Sequence, residues 1–192
     1  MNFTMPLSVT YGPGSLDEVA HLIPGRKVLL VTGRNFAGKT GLTERLESTF
    51  LSAGKKLSVF NNVPPEPGIP VLQECLDTAR RADAETVVAV GGGSVLDTGK
   101  AAAGLYHCLE PADTYFSGEP IKAESLYFCA VPTTAGTGSE ATPNSVFISS
   151  DGSVKKSIRS PHMMPNLALL DPELTLTCPP EVTAYSGMDA LV

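Results

Sequence analysis

Residues 86–90, Thr-Val-Val-Ala-Val, carry no polar alternation and run straight into Gly91-Gly92-Gly93. A strand of that pattern is covered on both faces, which is the situation of a central strand in a parallel sheet. Strand-type apolar runs recur at 27–32, 57–60, 126–131 and 167–170. Helix-period segments lie between them. Residues 40–53 place Leu42, Leu46 and Phe50 on one stripe with Gly54 as a stop, residues 71–82 turn Leu72, Cys75, Leu76 and Ala79 inward, and residues 94–106 follow the glycines. Strand and helix in this rhythm predict right-handed crossovers and an α/β fold, a doubly wound, Rossmann-like parallel sheet.

Smaller signals complete the outline. Gly12-Pro13-Gly14 makes a turn, and Ser15 with Glu18 forms a capping-box pair opening a short helix. Residues 61–68, with Pro64, Pro65 and Pro67, read as a loop. Short strands at 145–148 and 157–159 form a small β-hairpin around Asp151-Gly152. Pro179-Pro180 opens a final helix that the pattern carries to Val192. The whole of 1–192 reads as one domain.

The chain has 192 residues, 42% hydrophobic, with 14 Lys and Arg against 20 Asp and Glu, giving a net charge of −6. That balance argues against nucleic acid or an anionic membrane as partner, since both need a basic face. No apolar run approaches the ~20 residues of a transmembrane helix. The first residues lack the basic start and apolar stretch of a signal peptide. Cys75, Cys108, Cys129 and Cys178 are scattered, with no CxxC pair. They read as free thiols, and the expected location is cytoplasmic.

Three segments have the composition of a phosphate cradle. From Gly33 to Thr40 the chain fits the P-loop spacing GxxxxGK[ST] between a strand and a helix, and residues 167–171 offer a Walker-B-like strand ending in Asp171. Gly136-Thr137-Gly138-Ser139-Glu140-Ala141 fits GxGxxA, but Pro143 falls where a helix should propagate. Gly91-Gly92-Gly93-Ser94 follows a buried strand directly. Its glycines permit φ > 0 and a close approach to pyrophosphate, and Ser94 caps a helix whose N-terminus favours an anion. Asp97 sits in the first turn of that helix.

Residues 91–100, together with Pro132-Thr133-Thr134-Ala135-Gly136-Thr137-Gly138-Ser139-Glu140, resemble the iron-containing (group III) alcohol dehydrogenases. Pro165-Asn166-Leu167-Ala168-Leu169-Leu170-Asp171-Pro172-Glu173-Leu174-Thr175 is similar to a further stretch of that family, and Gly187-Met188-Asp189-Ala190-Leu191 looks like the start of its metal-binding helix. The resemblance implies the N-terminal, NAD(P)-binding domain of a metal-dependent alcohol dehydrogenase. It implies Gly92, Gly93 and Ser94 at the pyrophosphate and Asp97 towards the nicotinamide. Thr133, Thr134 and Thr137 would line the groove, with Lys155 and Leu176 closing around it and Lys156 an adjacent alternative to Lys155.

Many members carry an Asp after the first strand, against the adenosine ribose. Here Gly33 and Arg34 stand there, with Lys39 nearby. Loss of the carboxylate and gain of a guanidinium favour NADP over NAD. A divalent metal, iron or zinc, would polarise the alcohol in the full-length enzyme, and Asp189 matches its one carboxylate ligand. The three histidine ligands have no match in His21, His107 or His162, and the next would fall one residue past Val192. The resemblance therefore implies a fragment that binds dinucleotide without turnover. Its substrate would be a small alcohol or aldehyde, and a homodimer is compatible with it. Two rival readings stand beside it: a P-loop nucleotide triphosphatase using Gly33–Thr40, and a stand-alone nucleotide-binding module.

Overall fold

The computed structural model describes residues 5–6, 8–34 and 41–191. Its strands are β1 (Ser8–Tyr11), β2 (Lys27–Gly33), β3 (Lys56–Val63), β4 (Thr86–Gly91), β5 (Tyr127–Pro132), β6 (Asn144–Ile148), β7 (Lys155–Arg159) and β8 (Leu167–Leu170). Six of them form one sheet in the order β1-β8-β5-β4-β2-β3, with every pairing parallel. The helices are α1 (Val19–Leu22), α2 (Leu42–Ser52), α3 (Ile69–Arg81), α4 (Gly93–Leu105), α5 (Ala112–Ser117) and α6 (Pro180–Asp189). The doubly wound, Rossmann-like sheet is thus the observed architecture.

Side chains alternate across the central strands, and each set finds its own core. Leu29 and Val31 of β2, Val87 and Ala89 of β4, and Phe128 and Ala130 of β5 pack with α3, α4 and α5. Val28 and Leu30, Val88 and Val90, and Cys129 and Val131 pack with α1 and α2. Because a strand presents successive residues to opposite faces, an all-apolar strand requires two cores. Full burial of each Val or Leu contributes about 1.5–3 kcal/mol, so the sheet holds both helical layers.

Four details differ from the sequence reading. β3 continues through Asn61, Asn62 and Val63, so the loop begins at Pro64. As an edge strand bonded only to β2 it tolerates the asparagines, and its pairing resumes at Gly33–Val63 after an irregularity. β1, a polar edge strand with no buried residue, has no apolar signature. The short α5 was not foreseen either. Helix α6 ends at Asp189 with Ala190 as its C-cap rather than running on.

The capping box does not form. Gly14, in the left-handed region, precedes a 3-10 turn at Ser15–Glu18, and the Ser15 hydroxyl is buried with no partner. Asp171, at the end of β8, takes over. Its carboxylate accepts from the amides of Gly14 at 3.2 Å, Leu16 at 3.1 Å and Glu173 at 3.0 Å. One carboxylate thereby ties the first helical turn to the C-terminal end of β8. The hairpin β6–β7 forms as expected, with Asp151 accepting from Ser149 Oγ, Ser153 Oγ and the Ser153 amide in its turn.

Asp171→Ala leaves three amides without their acceptor, two of them 155 or more residues away in sequence. A loss of about 2–3 kcal/mol is expected, read as a lower urea midpoint with unchanged slope. Cys75, Cys108 and Cys129 are buried and Cys178 is half-buried. Burial also holds the Cys75 and Cys129 thiols well above their ordinary pKa. A thiol reagent in native buffer should therefore label Cys178 first, and Cys75 and Cys129 only at the rate of unfolding. Immediate labelling of either would contradict this packing.

Candidate functional site

β2 and β4 lie side by side, but the chain leaves them in opposite directions. β2 is followed by α2 on one face of the sheet, and β4 by α4 on the other. This is a topological switch point, where open parallel sheets leave a crevice at the C-terminal ends of their strands. Gly33 closes β2, Gly91 closes β4, and Pro132 closes β5 in register with Gly91. The sequence-predicted residues Gly33, Arg34, Gly92, Gly93, Ser94 and Thr133 therefore follow three adjacent strand ends.

The three glycines do not use left-handed backbone, contrary to the sequence expectation: none has positive φ. Their requirement is close approach. A Cβ on Gly91 would stand 2.6 Å from Val95 Cβ, and one on Gly93 would stand 3.1 Å from Thr137 Cγ2. Gly92 has Thr134 at 3.5 Å from the same position. The glycine turn and the threonine loop thus face each other across backbone that has no room for side chains. Ser94 does not cap α4 either. The helix begins at Gly93 after Gly92, and Ser94 Oγ accepts from the Glu66 amide at 3.3 Å. The first turn keeps amides without helical acceptors, the usual donors to an anion.

Below this cradle lies a buried ionic network. Lys100 on α4 has no exposed surface. Its Nζ donates to Ser139 O at 2.7 Å, Asn144 O at 2.8 Å, Ser139 Oγ at 3.1 Å and Thr142 Oγ1 at 3.3 Å. Asp97 Oδ1 stands 3.6 Å from the same nitrogen. Asp97 Oδ1 also accepts from Ser139 Oγ at 2.5 Å, and Oδ2 from the Val146 amide at 2.8 Å. Both oxygens of the residue expected near the nicotinamide are thus engaged within the chain. Burial lowers the Lys100 pKa to about 8, opposed by the Asp97 carboxylate and more weakly by Glu140.

The other predicted residues are spread over several elements. Arg34 is exposed, and its Nε donates to Asn62 Oδ1 at 2.6 Å, anchoring the guanidinium to β3. Lys155, at the start of β7, pairs with Glu66 at 2.6 Å, beside Ser94. Lys156 points elsewhere, with its ammonium 4.6 Å from the centre of the Phe116 ring. Leu176 is 80% exposed just beyond a 3-10 turn. Asp189 is exposed at the end of α6. That helix rests on the threonine loop: a Cβ on Gly136 would fall 1.8 Å from the Ser186 carbonyl oxygen.

The P-loop reading gains no support. Residues 35–40 lie outside the described residues, and Asp171 follows β8, which is separated from β2 by β5 and β4. Its carboxylate is committed to three amides. Among the described residues no group of three or more His, Cys, Asp and Glu is gathered as a metal would require. No helix among them is long and apolar enough to cross a membrane.

Residues 6–172 match the family model described as iron-containing alcohol dehydrogenase. The chain belongs to that family. It is 36% identical over 187 residues to the sulfoacetaldehyde reductase of Bilophila wadsworthia, covering 96% of this chain and 48% of that protein. It is 31% identical to the NADPH-dependent butanol dehydrogenase of Clostridium saccharobutylicum, across 100% of this chain and 50% of that one. The NADH-dependent butanol dehydrogenase A of Thermotoga maritima superposes with a TM-score of 0.92 at 27% identity, covering 100% of this chain and 49% of that structure. The sulfoacetaldehyde reductase of Bifidobacterium kashiwanohense, solved in complex with NAD+, superposes at 0.87 with 32% identity, over 98% and 50%. The chain thus spans about half the length of the curated relatives it matches.

Sequence reasoning passed over Lys100, Ser139, Asn144 and Glu66. Lys100 lies in the quoted glycine motif, but nothing in a linear pattern tells a solvated helical lysine from one aimed into the fold. The Gly136–Ser186 contact yields a prediction. Gly136→Ala places a methyl against the Ser186 carbonyl at a φ of 147° that L residues rarely adopt. Amide exchange across 180–189 should accelerate while β4 and β5 keep their protection. Unchanged exchange in α6 would refute the contact.

Proposed function

We propose that this chain is the dinucleotide-binding domain, 1–192, of an NAD(P)-dependent alcohol dehydrogenase acting on a small alcohol or aldehyde. The observation that carries the reading is convergence. Gly33 and Arg34 after β2, Gly92, Gly93 and Ser94 after β4, and Thr133, Thr134 and Thr137 after β5 meet at one crevice. The site suits a dinucleotide because the crevice at these strand ends is flanked by the start of α4, whose first amides lack helical acceptors, while Val95 and Thr137 take up the space a Cβ would need at Gly91 and Gly93.

In this reading the open amides at the start of α4 and the hydroxyl of Ser94 hold the pyrophosphate. Thr133, Thr134 and Thr137 form the facing wall, Lys155 and Leu176 border the groove, and Asp97 acts on the nicotinamide side. When bound, the nicotinamide supplies the hydride acceptor or donor for the interconversion of alcohol and aldehyde. The chain's own residues bind and orient it.

A catalytic metal does not fit the residues present. Among the described residues the exposed Asp189 gathers no second or third ligand, and one carboxylate cannot hold a transition metal. For the chain by itself the proposed role is dinucleotide binding without turnover.

NADP is preferred over NAD in this proposal. Gly33 presents no carboxylate to repel a 2′-phosphate, and Arg34 is held beside it by Asn62. Named relatives use both cofactors, as the NADPH-dependent butanol dehydrogenase and the NAD-dependent methanol dehydrogenase of Bacillus methanolicus show by their names. Titration with NADPH and NADH, followed by the fluorescence of the reduced nicotinamide, tests the reading. NADPH should bind about tenfold tighter or more, and Arg34→Ala should erase that difference. No saturable binding of either at millimolar concentration would overturn the proposal.

A further inference from the structure

Lys100 spends its charge in an unusual place. A buried ammonium loses its hydration and needs every proton satisfied. Here the three protons are shared among Ser139 O, Asn144 O, Ser139 Oγ and Thr142 Oγ1, all outside its own helix. These acceptors belong to two segments of the chain. Ser139 and Thr142 close the loop that begins at Thr133, and Asn144 opens β6 of the hairpin. Asp97, one turn earlier on α4, repeats the pattern through Ser139 Oγ and the Val146 amide.

α4 also carries the cradle itself. Gly93 and Ser94 form its first turn, and Lys100 lies two turns further along the same rigid helix. The hairpin's far end is fixed independently, by the Ile148 amide on Pro67 O at 3.0 Å and by the Lys155–Glu66 pair. Among the described residues the loop between 133 and 142 makes no comparable hydrogen bond to the far end of the hairpin. The Thr133 amide bonds Gly91 O at the end of β4 at 3.0 Å, and among the described residues the hydrogen bonds that tie this loop to α4 are those of the network. Moving Ser139 moves Thr137, whose methyl lies against Gly93.

We propose that Lys100, with Asp97, is a positioning residue that fixes the spacing between the two walls of the dinucleotide groove, the glycine turn and the threonine loop. The inference rests on the dinucleotide reading above. Lys100 touches no ligand in this proposal and acts through Ser139, Thr142 and Asn144. Its effect is confined to the part of the ligand that lies between those walls. The adenosine end, assigned to Gly33 and Arg34 beyond β2, is held by other strands and does not depend on the clamp.

The experiment compares the chain with its Lys100→Met variant on two ligands, NADPH and adenosine 2′,5′-bisphosphate, which lacks the pyrophosphate and nicotinamide. Asp171→Ala serves as a control that loosens the fold away from the groove. Lys100→Met should weaken NADPH by about tenfold or more, since small misplacements of a preformed site are costly. The bisphosphate should change by about twofold or less, and Asp171→Ala should leave the ratio of the two affinities as it was. Equal losses for both ligands, or NADPH binding at the original affinity, would overturn the proposal.

If Lys100→Met does not fold, Thr142→Val and Ser139→Ala remove parts of the network singly. The same selective loss of NADPH, larger for Ser139→Ala, is then required, and its absence refutes the clamp. If the unaltered chain binds neither ligand, the dinucleotide reading has failed. Amide exchange still decides the clamp, because exchange across 139–146 must then accelerate in Lys100→Met and stay unchanged in Asp171→Ala.

Discussion

Every residue of β4 from Thr86 to Gly91 is buried, and that one strand with no exposed face governs the architecture. Val87 and Ala89 need a helical layer on one side, and Val88 and Val90 need another on the opposite side. The chain satisfies both by crossing over the sheet after each strand, and the order β1-β8-β5-β4-β2-β3 follows. Once α2 and α4 lie on opposite faces, the ends of β2 and β4 must diverge. The crevice that opens there is a consequence of covering an apolar strand twice.

Glycine is needed in that crevice for space. With Val95 packed under Gly91 and Thr137 against Gly93, the strand–helix turn brings α4 tightly onto β4. The same helix contributes Gly99 against Ala89, where a Cβ would stand 2.7 Å from its neighbour. Tight seating of α4 gives Lys100 and Asp97 their reach. Their charges enter the layer between helix and hairpin, where desolvation is costly and only a complete set of partners makes burial tolerable. The result is a polar seam inside an apolar domain, joining segments that neighbouring strands alone would leave loosely connected.

Much of this was legible in the sequence. The apolar runs gave four of the five central and flanking strands within a residue or two, because an all-apolar strand admits few other environments. The amphipathic stripes of α2 and α3, with Leu46, Phe50, Leu72 and Leu76, were equally plain. The family resemblance rested on motifs at 91–100, 132–140, 165–175 and 187–191, and the family model over 6–172 spans the first two and most of the third. Elements without a periodic signal were lost: the polar edge strand β1, the short α5, and the extension of β3 into Asn61 and Asn62. Their stability comes from a neighbour's backbone or from packing, which a local pattern does not encode.

The glycine turn and the strand-to-helix rhythm were therefore determined by the sequence alone, since both depend on residue size and period, while the threonine loop was read from the family resemblance. Tertiary structure decided which polar groups serve which purpose. Ser15 and Glu18 looked like a cap, but Asp171 took the role because the end of β8 arrives at the first helical turn. Ser94 looked like a cap and instead receives the Glu66 amide. Lys100 looked like an ordinary helical lysine and became the centre of a buried seam. Hydrophobic burial is set by composition and spacing, whereas a hydrogen bond needs its partner within about 3 Å, and only the folded chain brings those partners together.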